Sequence, residues 1–176
     1  MEFSETQKLK LWWLYILLGL ESVVILCVSF LGKQRITFDQ LHEMNYIPII
    51  AVVAPLVLVY TINNIAFKYE INERGIRYRY FSLTGKYQFI PWTSIRHLYI
   101  RKYDALGEYG GWGVRYRLWF KTRDKAYVFN DNSKGLQLEL SNGKKVLFST
   151  NKLEELELFL FNFNSRHRIP AMNNYG

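Results

Sequence analysis

The chain has 176 residues, room for one small soluble domain beside a membrane segment, and its 49% hydrophobic and 17% aromatic content excludes a disordered protein. Its net charge of +8 lies wholly in one part: residues 1–67 carry four Lys/Arg against five Asp/Glu, and residues 68–176 carry nineteen against ten. The single cysteine, Cys27, sits in an apolar run, which excludes a disulfide framework and a cysteine-based metal site.

In chain order, the first predicted element is a helix over about residues 9–31. Leu11 to Leu31 holds one charge, Glu21, and is flanked by Lys8/Lys10 and Lys33/Arg35. A signal peptide is the competing reading, but the apolar core exceeds the usual ~7–15 residues and no small-residue cleavage site follows. After a polar connection, Tyr46 to Phe67 is a second apolar run, predicting a helix over 46–67. At ~1.5 Å per residue each run is long enough to span a bilayer, so residues 1–67 are expected to form a two-helix transmembrane hairpin. The short flanks place Lys8, Lys10, Lys68, Arg74, Arg77 and Arg79 on one side and Lys33 and Arg35 on the other. That asymmetry predicts a multi-pass protein of the inner (cytoplasmic) membrane with both termini in the cytoplasm. Glu21 is costly at mid-membrane and no residue of the second helix matches its depth, so it is the candidate intramembrane helix–helix contact; its partner is backbone, Ser22 or another copy of the chain, the last implying a homo-oligomer.

From Phe67 the period of the pattern becomes two. Phe67, Tyr69 and Ile71 alternate with Lys68, Glu70 and Asn72, and Asn72 to Gly75 supplies a turn. Further short strands are predicted over 76–80, 87–90, 95–103, 114–120, 126–129, 135–140 and 144–148, with Asp104 to Gly113 as a loop. Ser141-Asn142-Gly143 is a strong hairpin signal. Asn151 with Glu154 fits a helix start, and Leu153, Leu156, Leu160 and Phe163 then recur at helical spacing, with Leu158, Phe159 and Phe161 expected to broaden the apolar face. Residues 68–168 thus read as a small β domain, a barrel or a sandwich, with a C-terminal helix closing one end, and 169–176 as a flexible tail.

Ile90-Pro91-Trp92-Thr93-Ser94-Ile95, Tyr109 to Arg115, Gly135 to Leu140, Gly143-Lys144-Lys145 and Lys152 to Leu156 together resemble the bacterial pleckstrin-homology-like domain. The resemblance covers about residues 66–164, and many members of that family carry a preceding two-helix membrane hairpin. It implies an α+β membrane protein: a transmembrane hairpin followed by a PH-like antiparallel barrel capped by a helix. It does not imply phosphoinositide binding, since fold does not fix function.

His42, His97 and His167 are dispersed, and no metalloprotease, nucleophile-elbow or P-loop pattern is present. The sequence therefore predicts no catalysis, metal or cofactor. Arg77/Arg79, Arg101/Lys102 and Arg115/Arg117 fall on predicted outward strand positions; they read either as a plain solvated sheet face or as the candidate contacts to an anionic surface. Membrane lipid is the favoured anionic partner; nucleic acid is disfavoured, because no binding motif accompanies the charge. The expectation is a non-enzymatic, membrane-anchored module that recruits or regulates an unknown protein partner. The alternative is an accessory subunit of a membrane complex, bound through its hairpin.

Overall fold

A computed structural model of the chain describes residues 1–9, 11–31, 37–81, 85–118, 121–130 and 133–172. Lys10, Lys33, Arg35 and Trp119 lie outside them. The chain divides into a helical unit, Lys10–Asn64, and a β unit made of Met1–Leu9 together with Ile65–Gly176. The boundary expected at 67/68 is thereby replaced: the helices are an insert within the β unit.

In the helical unit, α1 (Trp12–Leu26) continues into a π-helical turn, Cys27–Leu31. The short α2 (Phe38–Glu43) begins where the Gln40 side chain accepts from the Thr37 N–H at 3.1 Å. Helix α3 (Ile47–Asn63) follows at once. The Tyr15 hydroxyl near the start of α1 donates to Asn63 Oδ1 near the end of α3 at 2.9 Å, so the two helices run antiparallel. Trp12–Ser29 has a mean hydropathy of 1.9 and only 11% of it is buried, the reverse of a soluble core helix. It is the one helix among the described residues long and apolar enough to cross a membrane. The second predicted span is shorter than expected, 17 residues in place of 46–67. The reason is local: Asn64 Nδ2 turns back to the Tyr60 carbonyl, and the alternating Phe67, Tyr69 and Ile71 already belong to a strand.

The β unit has two sheets. The first orders β1 (Phe3–Lys8), β2 (Ala66–Asn72), β3 (Gly75–Phe81) and β4 (Gln88–Pro91) side by side, all antiparallel. The second is built from β5 (Ile95–Lys102), β6 (Gly113–Arg117), β7 (Lys121–Val128), β8 (Lys134–Leu140) and β9 (Lys145–Ser149), in the order β5-β8-β9-β7-β6. Neither sheet closes on itself, so the expected barrel is corrected to two open sheets, and the β7–β9 pairing is parallel. The class is α+β.

Packing follows the period-two pattern. Phe67, Tyr69 and Ile71 of β2 are fully buried and meet Tyr127 and Phe148 from the second sheet, with the Phe67 and Tyr127 rings stacked at 4.6 Å. The C-terminal helix α5 (Leu153–His167) buries Leu156, Leu160 and Phe163, and Trp92 meets Phe163 at 5.7 Å. Leu158 and Phe161 are exposed, because at ~100° per residue they fall opposite the buried stripe. Ile169, Ala171 and Met172 are buried too, which corrects the tail expected from 169: Asn164 accepts from the Ile169 N–H and donates to the Met172 carbonyl, both at 3.2 Å.

The sequence reading missed β1. Its inward residues are Phe3, Glu5 and Gln7. Glu5 Oε2 accepts from the Tyr69 hydroxyl at 2.9 Å and the Thr150 hydroxyl at 2.7 Å, while Oε1 accepts from the Asn151 N–H at 2.7 Å and Gln7 Nε2 at 2.9 Å. Four donors and no acceptor surround it, the complement of an ionised carboxylate. Burial and then the Glu5 charge hold the Tyr69 phenol well above its ordinary range, so it stays a donor. This node ties β1 to the turn that starts α5.

Candidate functional site

The six cations singled out in the sequence do not share one face. Arg77 and Arg79 are on β3 in the first sheet, while β5 (Arg101, Lys102) and β6 (Arg115, Arg117) are opposite edges of the second. Arg77 lies over the Tyr87 ring, 3.8 Å from its centroid, and Arg79 stands at 5.2 Å from the same ring. Arg115 Nε donates to the Trp112 carbonyl at 3.0 Å. Lys102 is exposed at the end of β5.

Arg101 and Arg117 are brought together by α4 (Ala105–Tyr109), a helical turn in the segment expected to be a loop. Asp104 caps it by accepting from the Leu106 and Gly107 N–H groups, both at 3.0 Å. Gly110, at φ 70°, ends it in the left-handed region that glycine favours. The turn presents Glu108, whose two oxygens each accept from Arg101 at 3.0 Å. Arg101 Nη2 also donates to the Tyr109 hydroxyl at 2.8 Å and its Nε to Gln137 Oε1 at 2.9 Å. Arg117 bridges Glu108 and Asp124, at 3.3 Å each, and the Tyr109 hydroxyl donates to Asp124 at 3.2 Å. Two guanidinium groups and two carboxylates thus close a neutral network. Burial works to raise the Glu108 pKa, but the Arg101 hydrogen bonds and the Arg101 and Arg117 charges outweigh it and hold the carboxyl below its usual value. Glu108 lies in the segment expected to be a loop, yet Arg101 holds it bidentately.

Against this network opens a cleft of about 480 Å³, between the start of β7 and the β8–β9 hairpin. Its cations are Arg117, Lys121, Arg123 and Lys145, and Thr122 adds a hydroxyl. Its one carboxylate, Asp124, is buried, with both oxygens already engaged by Tyr109 and Arg117. Lys145 pairs with Glu139 at 2.5 Å, and hydrogen bonding to that carboxylate holds its ammonium above the ordinary lysine range. Lys121 and Arg123 are exposed and make no ion pair or hydrogen bond among the described residues. The cleft therefore carries two uncompensated positive charges. Lys121 and Arg123, two residues apart, were the sequence signal for it. It was obscured because the strand was expected to begin only at Ala126, whereas β7 begins at Lys121.

A smaller cavity of about 170 Å³ lies between the sheets, lined by Tyr78, Tyr80, Tyr127, Lys86, Gln88 and Lys125 among others. Burial raises the pKa of the Tyr78 phenol well above the usual tyrosine range, and its hydroxyl is hydrogen-bonded to Gln88. In the helical unit Glu21 is exposed on α1 and has no partner among the described residues, while Ser22 donates to its own Leu18 carbonyl at 2.9 Å. Among the described residues no group of His, Cys, Asp and Glu is placed to hold a metal ion. No protein-family model matches the chain, and no curated protein matches it.

Proposed function

We propose that the protein is a membrane-anchored, non-enzymatic interaction module of pleckstrin-homology-like type. It recruits or regulates a protein partner at the cytoplasmic membrane face and touches anionic lipid there. The observation that carries the reading is the pairing of β1 with β2, in which Lys8 lies opposite Ala66. The two ends of the helical insert leave neighbouring strands of one sheet, so they must lie on the same side of any membrane. A chain that crosses at Trp12–Ser29 has to return before Ile65, and α3 is the apolar helix available for it. At ~1.5 Å per residue, 17 residues reach roughly 25 Å, close to the thinner bilayers. Two packed sheets, antiparallel except at the β7–β9 pair, with a C-terminal helix buried against them support the PH-like assignment, and the Lys/Arg asymmetry of the flanks supports cytoplasmic termini.

Topology is tested with Cys27→Ser protein carrying a single reporter cysteine at Glu2 or at Glu73. In intact cells neither is expected to react with an impermeant maleimide, and both react after lysis. Labelling of one site but not the other, or release of the protein by alkaline extraction, rejects the reading.

The accessory-subunit alternative is favoured by Glu21, an ionisable side chain facing outward from an apolar helix, which in lipid is costly without a partner. Replacing residues 9–65 by a tight turn between Lys8 and Ala66 separates the two. An interaction module keeps its partner in a pull-down from native membranes, and an accessory subunit loses it.

A further inference from the structure

We propose that the cleft between the start of β7 and the β8–β9 hairpin is a binding site for a phosphate group carried on a small polar body, with Lys121 and Arg123 as its principal ligands. Three observations carry this. First, its charge is directed: Arg117 and Lys145 are compensated by Glu108, Asp124 and Glu139, while Lys121 and Arg123 are not. An anion entering there meets two free cations without breaking an existing pair.

Second, the carboxylate that would repel it is silenced. Asp124 is buried and spends one oxygen on Tyr109 and the other on Arg117, so the cleft offers donors nearly throughout: two guanidinium groups, two ammonium groups and the Thr122 hydroxyl. A tetrahedral dianion with several acceptor oxygens suits that donor set, and a guanidinium gives it paired hydrogen bonds. Third, the floor is preorganised. Arg117 is held from two sides, and Gly143, at φ 78° with nothing within 4 Å of a Cβ built on it, leaves the hairpin wall open. A volume of about 480 Å³ exceeds a bare phosphate and accommodates a glycerol- or sugar-sized body attached to it.

The site is distinct from the six cations read from the sequence, of which only Arg117 borders it. The phosphate could be a lipid headgroup or a soluble phosphate ester, and only the lipid source rests on the membrane reading above.

The test uses the full-length protein in neutral detergent, titrated calorimetrically with sn-glycerol 3-phosphate and with short-chain phosphatidic acid. A phosphorylated oligonucleotide serves as the competing macromolecule. Binding of either small probe is expected, weakened at least tenfold in Lys121→Gln/Arg123→Gln. The charge-matched control Arg74→Gln/Arg96→Gln should bind within twofold of the parent. Both pairs are exposed, and unchanged thermal unfolding checks that the variants fold. Binding of phosphatidic acid alone assigns a headgroup; binding of both probes assigns the phosphate ester itself. No binding of either probe overturns the proposal, as does an equal loss in the control pair, which would mean diffuse electrostatics. Tighter binding of the oligonucleotide that Lys121→Gln/Arg123→Gln abolishes also overturns it, in favour of a nucleic-acid site. None of these outcomes bears on whether the helices span a membrane.

Discussion

Replacing Glu5 by leucine should destabilise the β unit by about 4 kcal/mol. The side chain is 3% exposed and accepts four hydrogen bonds. Its loss orphans the Tyr69 hydroxyl, the Thr150 hydroxyl and the Asn151 N–H, whereas Gln7 keeps the Ser149 carbonyl. Two buried hydroxyls and one part-buried N–H at ~1–3 kcal/mol each come to roughly 6 kcal/mol, offset by about 2 kcal/mol from burying leucine. Against a typical stability of ~5–15 kcal/mol that is a large fraction. Glu5→Gln keeps the shape and two hydroxyls that can reorient, and should cost about 1–2 kcal/mol. Urea unfolding of the detergent-solubilised protein, with hydrogen exchange read at the β1 and β2 amides, measures both. The order leucine, then glutamine, then parent is the signature expected. Two variants within about 0.5 kcal/mol of the parent would refute the argument that this node fastens β1.

Gly75→Ala places a Cβ 2.3 Å from the Ile90 carbonyl oxygen and should cost about 1–3 kcal/mol, read as a lowered urea midpoint. Leu160→Ala empties a fully buried position beneath α5 and should cost about 2–5 kcal/mol, whereas Leu158→Ala on the opposite, exposed face should stay within about 0.5 kcal/mol. Glu108 has a folded pKa below the usual 4.5, so its contribution is present above pH 4.5 and is lost as the pH falls through the folded value. Glu108→Gln should flatten the acid limb of a stability–pH curve, and an unchanged limb would remove the network's role. Leu20→Lys on the exposed face of α1 should lower membrane integration by about 3 kcal/mol, measured as glycosylation-tag topology or carbonate extraction.

Most strands and the closing helix were legible because burial imposes a period that survives in the residues. Phe67/Tyr69/Ile71 and Leu156/Leu160/Phe163 are read directly, and all six are fully buried. β1 was not, because its inward face is Phe3, Glu5, Gln7: two polar residues are buried by hydrogen bonds to residues some 140 positions away, which no local pattern records. The same holds for α4, a five-residue turn fixed by Asp104 and Gly110, within a segment whose glycines read as a loop. In the candidate site the cations were visible but their compensation was not. Arg101 and Arg117 sit on opposite edges of a sheet and meet only because Glu108 reaches both. Alternation on β6 also misled: Arg115 and Arg117 were expected outward, yet Tyr116 between them is exposed as well at this edge of the second sheet.

The order of strands has a consequence for biosynthesis. β1 is synthesised before its pairing partner β2, which is made only after residues 9–65. Closing so long a loop costs roughly 3–4 kcal/mol in a free chain. If the helices enter a bilayer as an antiparallel pair, insertion itself returns the chain to its starting side and brings Lys8 towards Ala66 before any sheet exists. The membrane would then act as a folding template: until insertion is complete β1 waits unpaired, and the β unit cannot be finished on a chain that failed to insert. A half-inserted protein would leave the backbone edge of β2 unpaired.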